Sequence, residues 1–277
     1  MKLHRSVLSI LSLCAFASAA LHSHSVLAWG ASGHAIVCEI AWQNLDTTTQ
    51  EWIKPLYKEK GFENFAQSCN WADQIRSDHQ YDYLGPMHYV NVPKDAKKFS
   101  EDNQICGQKS CVTRAIHDNI KALNTQSGDQ AQALLLLGHF VGDIHQPLHV
   151  SYSEDWGGNK IQVMVAEHIH SDHLVESNLH AVWDTWLVEQ NGFKKWKKSA
   201  KRLNQSINAD EKRDWRKSLS PEQWASESYD QVLVIYKDVK NLPPLRKDYA
   251  QKNKAIIQER LQQAGIRLAE ILNAITR

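Results

Sequence analysis

Phenylalanine is scarce in this chain of 277 residues, with 6 against 10 tryptophans, and methionine is scarcer still at 3. No charge of one sign prevails: 32 Lys and Arg face 31 Asp and Glu. That balance excludes tight binding driven by a broad basic surface with many phosphate contacts. The sequence has no internal repeat, low-complexity tract or long linker, and 42% hydrophobic against 23% charged content excludes a wholly disordered chain. No apolar run reaches the ~18 residues that span a bilayer. No Cys-x-x-Cys pair is present, which weighs against a thiolate zinc cluster. What the chain has in quantity is histidine, 14 in all, and the question is how these are arranged.

The first segment reads as a secretory signal. Lys2 and Arg5 precede an apolar run from Val7 to Ala20, and Val26-Leu27-Ala28 offers a small residue at the exit. The cut is expected after Ala28, so that Trp29 starts the mature chain and the protein is secreted or periplasmic. Cysteine usage agrees. Cys38, Cys69, Cys106 and Cys111 remain, an even number that suits an oxidising compartment and allows three pairings. The short span between Cys106 and Cys111 favours a local clip, with Cys38–Cys69 as the second bridge.

The mature chain reads as mainly helical, an all-α single domain over 29–277. Apolar residues recur at helical spacing from Gly33 to Leu45 and from Val175 to Glu189, and Ala131 to Leu148 is apolar all round, as in a central buried helix. Ser220-Pro221-Glu222-Gln223 is a helix start with cap, first-turn proline and capping-box glutamine. Asp248 to Thr276 has the pattern of a long amphipathic surface helix. Strand candidates are few: Lys160 to Val165 after the Gly157-Gly158 turn, and His88 to Val92.

The histidines are ordered. His139 and Asp143 lie four apart, which puts them on one helical face, and His180 and Asp184 repeat that spacing on a second helix. Imidazole and carboxylate are the ligands zinc takes when thiolates are absent. A lone pair of this kind is commonly a surface or capping contact. Burying His139 and Asp143 among leucines without a partner, however, is costly, and a cation removes that cost. His149 is turned about −80° from His139 by helical phase, beyond the disturbance of Pro147, which leaves it for a second ion alongside His180 and Asp184. Other features read blandly. His145 is structural, His168, His170 and His173 sit in a polar loop, His79 and His117 have no partner at telling spacing, and Lys194 to Lys201 is a solvated helix face. Asn204-Gln205-Ser206 is a glycosylation sequon.

Trp29-Gly30-Ala31-Ser32-Gly33-His34, Trp71-Ala72-Asp73, His88-Tyr89-Val90-Asn91, the His139 to His149 block, Gly157-Gly158-Asn159 and His180 to Asp184 occur in that order. Together they resemble the zinc-dependent single-strand nucleases of the S1/P1 type, within the phospholipase C/nuclease superfamily. The resemblance implies a compact, disulfide-linked, multi-helix fold with a small β-hairpin, and three zinc ions. One is held by Asp73, His88 and His139, one by His149, His180 and Asp184, and one by the amino group and carbonyl of Trp29 with His34, while Asp143 bridges the first and third. It further implies hydrolysis of single-stranded DNA and RNA to 5′-nucleotides by attack of a zinc-bridging hydroxide on phosphorus, with 3′-nucleotidase activity. Asp73 orients the water, Arg76 neutralises phosphate charge, and Tyr89, Asn91 and Asn159 contact the nucleobase. Arg76 as a surface cation, Tyr89 as a core aromatic and Asn159 as a turn residue are the plain alternatives. The expected partners are nucleic acid and 3′-nucleotides, with no protein partner, a monomeric state and no membrane span.

Two rival functions remain. A zinc-dependent phospholipase C shares the helical scaffold, terminal tryptophan and three-zinc site, but that family typically has glutamate where this chain has Asp184. Asp184, the Gly157-Gly158-Asn159 turn and Arg76 favour the nuclease. The second rival is a non-catalytic zinc-binding secreted protein.

Overall fold

Caps and apolar spacing set where the helices begin. The computed structural model describes residues 29–107, 110–237, 239 and 242–277, so the expected signal at 1–28 lies outside the described residues. Helix α1 (Ala31–Trp42) is followed by α2 (Thr47–Glu59), the short α3 (Phe65–Ser68) and α4 (Trp71–Gln74), and a 3-10 helix over His79–His88. Strand β1 (Val90–Val92) leads to α5 (Val112–Asn124) and α6 (Gln130–His145). After β2 (Val150–Tyr152) come β3 (Gln162–Ala166) and β4 (Leu174–Asn178). Helix α7 (Leu179–Ala181) runs through a π turn at Val182–Trp186 into α8 (Leu187–Gln190). The chain ends with α9 (Trp196–Ser206), α10 (Ala209–Lys217), α11 (Pro221–Ile235) and α12 (Lys247–Thr276). The fold is all-α with short strands, as expected. Among the described residues no helix is long and apolar enough to cross a membrane.

The core is built around α6, whose residues from Ala133 to His145 are all buried. Asp129 opens it by accepting from the backbone N–H of Gln132 at 2.8 Å. Helices α1, α2, α5, α11 and α12 pack around it. Ser220 caps α11 through the Gln223 N–H, with Pro221 in the first turn, as the local sequence predicts. Both expected disulfides form, Cys38–Cys69 and Cys106–Cys111. The first ties α1 to the segment between α3 and α4.

Four expectations are corrected. Helix α6 stops at His145, three residues early, because Pro147 cannot continue it; Gln146 takes an extended backbone conformation and Pro147–His149 forms a single 3-10 turn. The segment from Val175 is not helical at its start: β4 pairs antiparallel with β3, Gln162 opposite Asn178, and helix begins only at Leu179, capped by Asn178. Helix α12 is no surface helix, since Arg260 to Ala269 are all buried. Its two basic residues there are met internally. Glu227 of α11 pairs with Arg267 at 2.7 Å and Arg260 at 3.0 Å, and Arg267 also donates to His145 Nε2. His79 does have a partner at helical spacing, Asp82 at 3.3 Å, whereas His117 meets Glu222 at 2.9 Å from a distant part of the chain, which no local spacing signals. A parallel pairing of β1 with β2, Val90 opposite Val150, went unforeseen. It brings the chain after His88 alongside the chain after His149.

Candidate metal centre

Three histidines of the centre are aimed by backbone carbonyls. His139 Nδ1 donates to the Cys69 carbonyl at 2.7 Å, next to the disulfide. His149 Nδ1 donates to the His88 carbonyl at 2.6 Å, a contact made by the β1–β2 pairing, and His180 Nδ1 donates to the Gly157 carbonyl at 2.7 Å. With the proton held on Nδ1, each Nε2 presents a lone pair to the interior, the arrangement typical of metal-ligating imidazoles.

Those lone pairs converge. The Nε2 atoms of His149 and His180 stand 3.2 Å apart, and the Asp184 oxygens lie 3.7 Å and 3.4 Å from them. No hydrogen is available between two nitrogens whose protons point elsewhere, so a cation is the natural occupant. A second group is formed by Asp73, His88 and His139, with His139 Nε2 3.8 Å from Asp73. His88 Nδ1 lies 2.9 Å from Asp143 and 3.1 Å from His139 Nε2, and one imidazole proton serves only one of them. The third group is His34, His139 and Asp143. His34 Nε2 is 3.3 Å from Asp143, yet neither ring nitrogen of this buried side chain makes a hydrogen bond. One oxygen each of Asp73, Asp143 and Asp184 is likewise buried without one, a deficit costing about 1–3 kcal/mol per group where nothing fills it.

Burial also drives the titration. It pushes Asp73 up to about 6, Asp184 up to about 7 and Asp143 well above the carboxylate range. It pulls His139 down to about 3 and His149 to about 4, and lowers His34, His88 and His180. Neutral imidazoles beside carboxylates that resist ionising form a donor set whose missing component is positive charge.

Trp29 is wholly buried. Its ring and His34 sit where α6 comes closest: a side chain at Gly142 would stand 2.7 Å from His34 Nδ1 and 3.7 Å from the Trp29 ring. Gly157 has a similar constraint, with φ of +61° and no room for a side chain against the Leu148 carbonyl.

Two of the groups reach a cavity of about 960 Å³, one through His88 and the other through His149 and His180, and Arg76, Tyr89, Asn91 and Asn159 line it with them. Arg76 is no distant surface cation, for its Nε lies 3.1 Å from Asp73. Tyr89 is 39% exposed and so is not a core aromatic. Asn159 does serve the turn, donating to the Trp156 carbonyl at 2.7 Å, while also facing the cavity. The separation of His149 from His139 holds for a reason other than helical phase: α6 has already ended, and the 3-10 turn redirects the ring.

Sequence reasoning missed Gln146. It is wholly buried, donates to Asp184 and accepts from the Leu148 N–H at 2.6 Å. Its place between His145 and Pro147 was the only signal. His145, read as structural, accepts from Arg267 and donates to the Val141 carbonyl at 2.7 Å. Asn204 is half-buried, and its amide exchanges hydrogen bonds with Asn44 and Gln43.

Fold and centre thus define a helical protein with three groups able to hold metal ions, two of which reach one cavity. The family described as S1/P1 Nuclease matches residues 29–277, and the chain belongs to it. It is 33% identical to Endonuclease 2 of Arabidopsis thaliana, over 89% of this chain and 90% of the relative, and 31% identical to Endonuclease 4 of the same plant, over 91% and 90%. Nuclease P1 of Penicillium citrinum is 29% identical over 58% of this chain and 59% of its own. The chain is therefore a nuclease, a phosphodiesterase acting on nucleic acid.

Proposed function

We propose that the protein is a secreted, zinc-dependent phosphodiesterase that cleaves single-stranded DNA and RNA to 5′-nucleotides and also acts as a 3′-nucleotidase. The observation that carries this reading is the convergence of unprotonated imidazole nitrogens and buried carboxylates at the wall of a cavity that also holds a cation and amides. Asp73, His88 and His139 would hold one zinc, His149, His180 and Asp184 a second, and His34 with the Trp29 backbone a third, with Asp143 shared. When bound, the ions supply water of lowered pKa and positive charge for phosphate and leaving oxygen.

The chain's own residues do the rest. Asp73, paired with Arg76 at the cavity wall, holds that guanidinium toward the space where a phosphate enters, so that charge developing on phosphorus meets a fixed cation. Tyr89 offers an exposed ring for stacking, and Asn91 and Asn159 offer amide groups to a base edge. Carbonyls of Cys69, His88 and Gly157 fix the imidazole tautomers, and Gln146 fixes Asp184. The neutral overall charge fits a site whose positive potential is concentrated rather than spread over the surface.

The test sets single-stranded DNA against phosphatidylcholine. Cleavage of DNA with 5′-phosphate ends is expected. Cleavage of lipid alone would favour the phospholipase C reading, and three bound zincs without phosphodiesterase activity the binding-protein reading.

A further inference from the structure

Trp156 places a large aromatic ring where backbone and solvent both disfavour it. Its φ is +57°, in the left-handed region that a bulky residue rarely enters, and its side chain is 65% exposed. The two residues that follow, at φ of +61° and +86°, are glycines. The conformation is held by the surrounding turn. Trp156 N–H donates to the Ser153 carbonyl at 3.3 Å, its own carbonyl accepts from Asn159, and Asp155 accepts from Gly158 N–H at 2.9 Å and from Tyr236 at 2.9 Å. Strain kept by such a frame points toward function.

The ring is also fixed in its plane. Lys160 Nζ sits 4.1 Å from its centroid and is itself anchored on the Glu154 carbonyl at 2.9 Å. One face is therefore covered by a cation, and the other remains for a ligand. Both side chains line the same cavity as Arg76, Tyr89 and Asn159. At about 960 Å³ that cavity is at the upper end of small-molecule sites, with room for more than one nucleotide.

We infer that Trp156, held by Lys160, is a second base platform, distinct from Tyr89, on which a base flanking the scissile phosphate stacks. This rests on the nuclease reading proposed above. A rigid, pre-placed ring accepts any base, because every base has a π face. It would favour a substrate carrying a base on each side of the cleaved bond over one carrying a single base.

The test is steady-state kinetics on a dinucleoside phosphate and on its two analogues lacking one base or the other. Trp156→Gly is the informative variant, because glycine accepts φ of +57° and preserves the turn; Trp156→Phe keeps a ring. The expected result is a KM about tenfold higher for Trp156→Gly on the intact substrate, a kcat changed little, and recovery of most of the loss by Trp156→Phe. The deficit should vanish on one of the two abasic analogues. An unchanged KM, or an equal deficit on all three substrates, overturns the inference. So does a variant altered only in association with phosphatidylcholine vesicles. If the unaltered protein cuts none of the substrates, the nuclease reading itself fails.

Discussion

Asp143 reaches His34 with one oxygen and His88 and His139 with the other, at 3.3, 2.9 and 3.3 Å. Among the described histidines, Asp184 faces His149 and His180 alone. The two carboxylates should therefore differ when neutralised. Asp143→Asn is expected to lose more than one zinc per chain, and Asp184→Asn a single zinc, as measured by metal analysis of the folded variants. Loss of one ion from each would contradict the sharing of Asp143. Arg76 acts through charge and not ligation, so Arg76→Ala should keep its zinc and lose about 10²-fold in kcat. A parallel loss of metal would show instead that Arg76 matters by holding Asp73.

Helix α6 supplies His139 and Asp143 from a fully buried position, so its neighbours fix the centre. One support is the network of Glu227 on α11 with Arg260 and Arg267 on α12, which reaches back to His145. Burial raises the Glu227 pKa, but the two arginines more than offset it, and the folded value lies below the usual 4.5. A depressed carboxylate gives stability that is present above 4.5 and is lost as pH falls through the folded value. The Tm of the unaltered protein should accordingly drop more steeply below pH about 4.5 than that of Glu227→Gln. At neutral pH the variant should be about 3 kcal/mol less stable, because two buried guanidinium groups lose their partner. Parallel Tm profiles would refute that role. The Cys38–Cys69 bridge is the other support, and its removal by paired serine substitutions should destabilise by about 2–5 kcal/mol in chemical denaturation.

These elements also show what the sequence made legible. Leucine run, His-x-x-x-Asp spacing and capping signals marked α6, α7 and α11, because helical period and caps are local properties. The end of α6 is not legible, since the apolar pattern continues past Pro147 to Leu148 while the helix stops at His145. Helix α12 has the pattern of a surface element because Arg260 and Arg267 imply a solvated face, and their partner Glu227 lies more than thirty residues away. Strand β4 was hidden in a run that also fits helical spacing. Gln146 and the carbonyls that orient the imidazoles carry no pattern at all, as backbone atoms are the same at every position.

Across the whole molecule, near-neutral charge and a buried polar centre combine in one expectation: function depends on what the centre holds. A chain retaining residues 1–28 keeps the Trp29 nitrogen in a peptide bond, without a basic lone pair. It should bind one zinc fewer than the chain beginning at Trp29 and lose most activity; full metal content and activity would dismiss that role for Trp29. The most direct measurement is zinc content and single-strand cleavage of the chain beginning at Trp29, before and after chelation and again after zinc is returned. Three zincs per chain, cleavage abolished with their removal and restored with their return, is the predicted result. Undiminished cleavage by the metal-free protein would contradict the account.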